Sequence, residues 1–278
     1  MKRGINAWSF PAGMSQKDAM RLAAKTGYDS FELSLDAEGE LSLHSSDEEI
    51  KSFRALADEL GIEISSLASG LYWGTPLTSD DPEIRRAAKD TVRFQLKAAK
   101  LLGCGAILVV PGCVGADFIE NCPVVPYDVA YDRALEAMKE LAPDAEAAGV
   151  VIGLENVWNK FLLSPLEMRD FLDKVGSDYV KAYFDVGNVV VNGYPEHWIR
   201  ILGSRIARVH IKDFRTIVGN INGFVDLLGG DVNFPEVVKA LREVGYDSYL
   251  TAEMNGFPCA SDAVVVRTLD ALTRIVNY

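Results

Sequence analysis

Four residues of the kinds that bind cations and move protons each close an apolar run. Glu155 ends Ile152-Gly153-Leu154-Glu155, Asp185 ends Ala182-Tyr183-Phe184-Asp185, His210 ends Arg208-Val209-His210, and Glu253 ends Leu250-Thr251-Ala252-Glu253. Lys212 follows His210 by two positions, so in a strand both project from the same face. Carboxylates crowded into a small space raise one another's pKa, and the Coulomb cost grows as the local dielectric falls. A divalent cation removes that cost. Carboxylate oxygens plus one imidazole suit Mn²⁺, Mg²⁺, Co²⁺ or Zn²⁺, and the ligand set does not choose between them. Taken singly, each acid reads as well as a solvated strand-end residue or a helix cap. All four together favour a cation.

The elements that must position these groups alternate in a regular beat. Strand patterns fall at about 4–9, 30–35, 63–68, 106–110, 150–155, 180–185, around His210, and at 249–254. Helix patterns fall between them at about 15–25, 47–60, 82–102, 129–148, 164–175, 195–202 and 234–244, with a last one at 262–276. Pro82 sits where helix starts favour proline, and Gly27, Gly61, Gly149 and Gly245 follow the ends of helical runs. Ala106-Ile107-Leu108-Val109-Val110 is apolar throughout, as in a parallel strand buried on both faces. Eight strand–helix units without a linker, repeat or low-complexity segment predict one domain, residues 1–278, folded as a single (β/α)8 TIM barrel. Its working groups would come from the C-terminal ends of the strands, where the four residues above lie. An open doubly wound sheet is the alternative, but no GxGxxG follows the first strand, which removes the usual dinucleotide site.

The bulk composition narrows the function classes. The chain has 278 residues, 49% of them hydrophobic, and a mean hydropathy of +0.07, enough for a sizeable core. With 28 Lys+Arg against 40 Asp+Glu the formal net charge is -12. Such a surface repels nucleic acid and anionic membranes, so neither is expected as a partner. No apolar run approaches the roughly 20 residues of a membrane span, and the start Met1-Lys2-Arg3-Gly4-Ile5 is no signal peptide. Cys104, Cys113, Cys122 and Cys259 show no CxxC spacing. Cys113 and Cys122 are close enough in sequence to pair, but a reduced cytoplasmic protein is the expectation.

The chain resembles the xylose isomerase-like TIM barrels and, within them, the ketose and ketose-phosphate 3-epimerases. The matching segments are Gly153-Leu154-Glu155-Asn156, Phe184-Asp185-Val186-Gly187-Asn188, Val209-His210-Ile211-Lys212-Asp213, Gly229-Gly230-Asp231-Val232-Asn233-Phe234 and Thr251-Ala252-Glu253. The resemblance implies one divalent metal ion held by Glu155, Asp185, His210 and Glu253, with Glu155 and Glu253 also acting as the acid/base pair. It implies a small sugar or sugar phosphate as substrate, bound to the metal through its C2 carbonyl and a neighbouring hydroxyl. One glutamate would remove the C3 proton to give a metal-stabilised cis-enediolate, and the other would return a proton to the opposite face. Epimerases of free ketoses tend to carry a histidine three residues after the metal-binding aspartate. Here that position is Asn188, which tilts the resemblance towards the sugar-phosphate branch. An aldose–ketose isomerase or a polyol or keto-acid dehydratase would use the same site. A DNA-repair endonuclease on this scaffold would want more ligands and a basic groove, and a non-catalytic sugar-binding barrel would not need the intact quartet. Members of this branch often pair, so a homo-oligomer is allowed.

Several further residues are candidates for substrate binding. Asn188 lies near the metal-binding aspartate. Lys212 reads either as an ion-pair partner of Asp185 or Glu253 or as a contact to a substrate oxygen. Arg215 would meet sugar hydroxyls or phosphate, or lie solvated in its loop. Trp8, Trp73 and Trp158 each follow a strand, where aromatic faces pack against the C–H face of a sugar or simply fill space under loops. Asn6 and Glu32 near early strand ends give a weak signal for substrate contact. Asp213 reads as a loop residue, and His44 and His197 as surface residues. Gly219, Gly223, Gly229 and Gly230 would let the segment 219–231 bend over the pocket, as a lid that excludes water or as a merely flexible loop.

Overall fold

A computed structural model describes residues 1–255 and 261–278; Cys259 lies outside the described residues. Among these, eight parallel strands close into a barrel: β1 (Lys2–Asn6), β2 (Ser30–Ser34), β3 (Glu63–Ala68), β4 (Ala106–Val109), β5 (Val151–Glu155), β6 (Val180–Asp185), β7 (Ile206–Ile211) and β8 (Tyr249–Ala252). A helix follows each strand: α1 (Gln16–Thr26), α2 (Asp47–Leu60), α3 (Pro82–Leu102), α4 (Tyr127–Ala148), α5 (Pro165–Val175), α6 (Pro195–Leu202), α7 (Phe234–Glu243) and α8 (Ser261–Val276). This is the (β/α)8 barrel. The helix ends follow local chemistry. At α2, Ser46 and Glu49 form a reciprocal capping box, and Gly61 stops the helix at φ 67°.

The strands use their two faces differently. Ile5, Phe31, Leu33, Ile107, Val109, Ile152, Leu154, Ala182, Phe184, Val209, Ile211, Leu250 and Ala252 belong to the main apolar core. Burying each of the larger ones is worth about 1.5–3 kcal/mol. The intervening positions face the barrel axis and are polar in most strands: Ser30, Glu32, Tyr183, Asp185, His210 and Thr251 are fully buried there. A small apolar cluster of Ala68 and Leu108, packed with the Tyr183 ring and with Trp8 against it, interrupts them. Register then aligns the polar groups, with Asp185 of β6 opposite His210 of β7 and His210 opposite Thr251 of β8.

Two local features differ from expectation. The first strand stops at Asn6 because the Asn6 side chain accepts hydrogen bonds from the Ser9 backbone N–H at 3.1 Å and the Ser9 hydroxyl at 2.8 Å. That turns residues Ala7–Ser9 into a 3₁₀ turn. Beyond β7 a short antiparallel ribbon pairs Asp213–Phe214 with Phe224–Val225. Cys104, Cys113 and Cys122 are free thiols, with the Sγ atoms of Cys113 and Cys122 3.9 Å apart. No helix among the described residues is long and apolar enough to cross a membrane.

Candidate active site

Glu155 is the last residue of β5, Asp185 the last of β6, His210 the penultimate residue of β7, and Glu253 the first beyond β8. Their ligating atoms all lie within 4.8 Å of one another. His210 Nδ1 is 3.1 Å from Glu155 Oε1, 3.0 Å from Glu253 Oε2 and 3.9 Å from Asp185 Oδ2. Asp185 is fixed from behind. Its Oδ1 accepts the Asn188 backbone N–H at 2.8 Å, and its own backbone pairs with the Asn156 side chain through both N–H and C=O. Gly187 permits this packing, since a Cβ there would meet Lys212 Cβ at 2.5 Å and the Lys212 backbone at 3.0 Å.

The electrostatics reflect three acids in a dry space. Burial pushes Glu155 up to about 7, against the pull of His210. Burial likewise raises Asp185, partly offset by Lys212. Burial acts upward on Glu253 too, but Lys212 and His210 outweigh it and hold that carboxyl at about 2. His210 is raised despite its burial, chiefly by the Glu32 carboxylate. Lys212 is raised by Asp185 and Glu253, also against burial. Its Nζ lies 2.7 Å from Glu253 Oε1 and 3.2 Å from Asp185 Oδ2. Even so, Asp185 Oδ2 and Glu253 Oε2 are buried and make no hydrogen bond. Buried acceptors without donors are costly, and these two face the centre of the cluster. The donor set and its unsatisfied oxygens therefore fit a divalent cation.

Above the cluster lies a cavity of about 120 Å³. Glu155, Glu253 and Lys212 line it, together with Trp8, Trp73, Trp158, Phe118, Phe224, Ile221 and Asn188. Trp8 is oriented by its Nε1–H, which donates to Ser34 Oγ at 3.0 Å. Trp73 meets Phe118 edge to face. Trp158 packs on Phe214 and Phe224 and donates Nε1–H to the Asn188 carbonyl. The Asn188 amide nitrogen is engaged by the Asn156 carbonyl at 2.9 Å. Larger cavities of about 270 Å³ and 300 Å³ adjoin it and share several of its wall residues.

Other candidates lie elsewhere. Arg215 is exposed, donates Nε–H to the Gly229 carbonyl at 3.0 Å, and is not part of the cavity wall. It braces its loop. Asn6 caps the turn after β1, and Glu32 is buried behind His210 at 2.8 Å rather than in the cavity. His44 and His197 are on the surface. The segment 219–231 covers the pocket through Ile221, but it is tied down: Asp213 accepts the Gly230 N–H at 2.8 Å and the Val232 N–H at 3.2 Å. Phe118, Phe224 and Ser66 carry no sequence signal of their own, and Asn156 stands out only as part of the segment Gly153-Leu154-Glu155-Asn156. For Tyr183 the period of two from Asp185 was available and points inward.

Residues 20–275 match the family described as xylose isomerase-like TIM barrel. The chain is 27% identical to the D-psicose 3-epimerase of Enterocloster bolteae over 285 residues, covering 97% of this chain and 88% of that one. It is 23% identical to the L-ribulose-5-phosphate 3-epimerase of Salmonella typhimurium LT2 over 262 residues, covering 90% and 86%. Its fold superposes on the D-psicose 3-epimerase of Clostridium cellulolyticum H10, crystallised with D-tagatose, with a TM-score of 0.82 over 99% of this chain and 98% of that one. At 22% identity that likeness is one of fold.

Proposed function

Since the chain belongs to the xylose isomerase-like TIM barrel family, we propose that it is a divalent-metal-dependent epimerase that inverts C3 of an unphosphorylated ketose. The observation that carries this reading is a division within the quartet. Glu155 and Glu253 line the cavity, whereas Asp185 and His210 do not. Two carboxylates open to substrate and two groups behind them suit proton transfer in front and cation binding at the back. The curated relatives named as 3-epimerases of psicose and ribulose phosphate support the same chemistry.

Glu155, Asp185, His210 and Glu253 would hold the ion. Its charge would stabilise negative charge developing on substrate oxygens. One glutamate takes the proton from C3, whose C–H electrons move into a C2–C3 double bond while the carbonyl oxygen gains charge. The other, in its acid form, gives a proton back to C3 from the opposite side. Solvent resets the pair. Lys212 holds the Glu253 carboxylate at 2.7 Å, which limits the rotamers from which Glu253 acts. The aromatic wall packs against C–H groups and keeps water from the carbanionic intermediate.

The cavity argues for an uncharged sugar. Among the described residues Lys212 is the one cation in its wall, and both partners of its Nζ are carboxylates. Residues 256–260 add neither Lys nor Arg. In this cavity a phosphate dianion would sit beside Glu155 and Glu253 with Lys212 already paired, and Lys160, in the wall of the adjoining cavity, is itself paired with Asp117 at 2.5 Å. The test is metal analysis of the purified protein, then a panel of ketoses and ketose phosphates in D2O with and without chelator. The expected result is chelator-sensitive deuterium incorporation at C3 with formation of the C3 epimer of a free ketose. Chelator-insensitive turnover would defeat the metal, proton exchange at C1 would indicate an aldose–ketose isomerase, and a preference for phosphate esters would overturn the uncharged substrate.

A further inference from the structure

Behind the quartet, with its three acids, lies a further buried acid that the reaction does not use. Glu32, in the middle of β2, is fully buried. Its Oε1 lies 2.8 Å from His210 Nε2. Its Oε2 accepts from the Ser66 hydroxyl at 2.6 Å and from the Tyr183 hydroxyl, and these two hydroxyls are 3.0 Å apart. The Tyr183 ring also packs on the His210 ring, with centroids 4.6 Å apart. Four strands thus contribute to one closed network: β2, β3, β6 and β7. A carboxylate in a dry interior is costly unless its oxygens are met by donors and its charge is used. Here both oxygens are met, and the charge is aimed at one nitrogen.

An ionised carboxylate accepts hydrogen bonds and donates none. The contact to Glu32 keeps a hydrogen on Nε2, so when a cation takes the place of any proton on Nδ1 it is Nδ1 that offers its lone pair. Nδ1 is the nitrogen that faces Glu155, Glu253 and Asp185. We propose that Glu32 is a positioning residue that fixes His210 in its Nε2–H form, so that Nδ1 is the cation-binding atom, with Ser66 and Tyr183 holding Glu32 for that task. This rests on the reading of the quartet as a cation site, and the experiment below separates the two. Outer groups of this kind orient a ligating histidine and raise its basicity.

The chain makes the test clean, because it has only 3 histidines and His44 and His197 are exposed. Their imidazole N–H hydrogens exchange rapidly with water, whereas that of buried His210 does not. In ¹⁵N-histidine-labelled protein without metal, a slowly exchanging imidazole N–H signal assigned to Nε2 is expected far downfield, beside any signal from Nδ1. Glu32→Gln keeps the size of the side chain but allows its NH2 to face Nε2, which favours the wrong tautomer. The downfield signal should vanish, and the Kd for Mn²⁺ measured by calorimetry should rise about 10–100-fold. Tyr183→Phe keeps Glu32 and removes one donor to it. It should raise the Kd by a smaller factor, and it keeps the idea testable if Glu32→Gln does not fold. A folded Glu32→Gln protein that retains both the signal and wild-type Mn²⁺ affinity overturns the proposal, as does the absence of the signal from the wild type. If the wild type shows the signal but binds no divalent cation, the reading of the quartet fails while the Glu32–His210 bond stands.

Discussion

A carboxylate that only holds an ion can be sealed away, but one that exchanges a proton with substrate must reach it. Asp185 is closed off on every side, whereas Glu253 keeps about a fifth of its side chain exposed. Replacing one cavity glutamate should therefore separate two half-reactions. Glu155→Gln is expected to lower epimerisation by about 10²–10⁴-fold, the usual range for a lost acid/base group. It should still allow the remaining glutamate to exchange the C3 hydrogen of one epimer with D2O. Mass spectrometry of recovered substrate and product measures both. Near-normal epimer formation, or equal loss of exchange from both epimers with ion binding intact, would contradict the two-base assignment. Glu155, Asp185, His210 and Glu253 were legible in the sequence because each closes an apolar run. Glu32 was visible only as a weak substrate candidate. Ser30-Phe31-Glu32-Leu33 reads the same whether Glu32 meets substrate, ion or histidine, and only the closed barrel brings β2 and β7 to the same axis.

At the level of elements, strand ends carry the chemistry and loops set access to it. The strand–helix beat was legible almost throughout, since period-two and period-3.6 patterns alternate cleanly and glycine or proline marks many boundaries. Two features escaped that reading for different reasons. Asn6 ends its strand through its own side chain, and the ribbon after β7 has strands of only two residues, too short to show a period. That ribbon depends on Asp213, whose carboxylate gathers backbone N–H groups of Phe214, Gly230 and Val232. A Cβ on Gly230 would run into the Asp213 carboxylate and the Phe214 nitrogen. Gly230→Ala should displace the loop that carries Ile221 and Phe224 over the cavity. The expected result is a loss of about 10- to 100-fold in kcat/KM from mispositioned substrate, with Mn²⁺ affinity unchanged because none of the four cluster residues lies in the loop. Loss of ion binding in parallel would mean that the loop supports the quartet itself.

Across the whole molecule the barrel is electrostatically polarised along its axis. The C-terminal rim concentrates three largely buried acids around one histidine and one lysine, with Asp185 Oδ2 and Glu253 Oε2 making no hydrogen bond, whereas at the N-terminal ends of the strands charges are paired one to one. Lys2 meets Glu63 at 2.6 Å, the N-terminal ammonium meets Asp247 at 2.7 Å, and Arg3 grips Asp29 through its backbone N–H, Nε and Nη2. Groups at this end stabilise the fold and do not touch the chemistry. Asp29→Asn keeps the shape but removes the charge that binds Arg3, and its pair is about one-third exposed. After allowance for that exposure the cost should be about 1 kcal/mol, read by chemical denaturation, with kcat and KM unchanged. The pH dependence has a definite sign. The hydrogen bonds from Arg3 hold the Asp29 carboxyl below its ordinary value, despite the opposing effect of burial. Its contribution is therefore complete above the ordinary carboxylate range and is lost as pH falls through the lower folded value. The stability gap between wild type and Asp29→Asn should be full at neutral pH and close on acidification below about pH 4. A gap that widened with acid would show that Asp29 is not held as a carboxylate by Arg3.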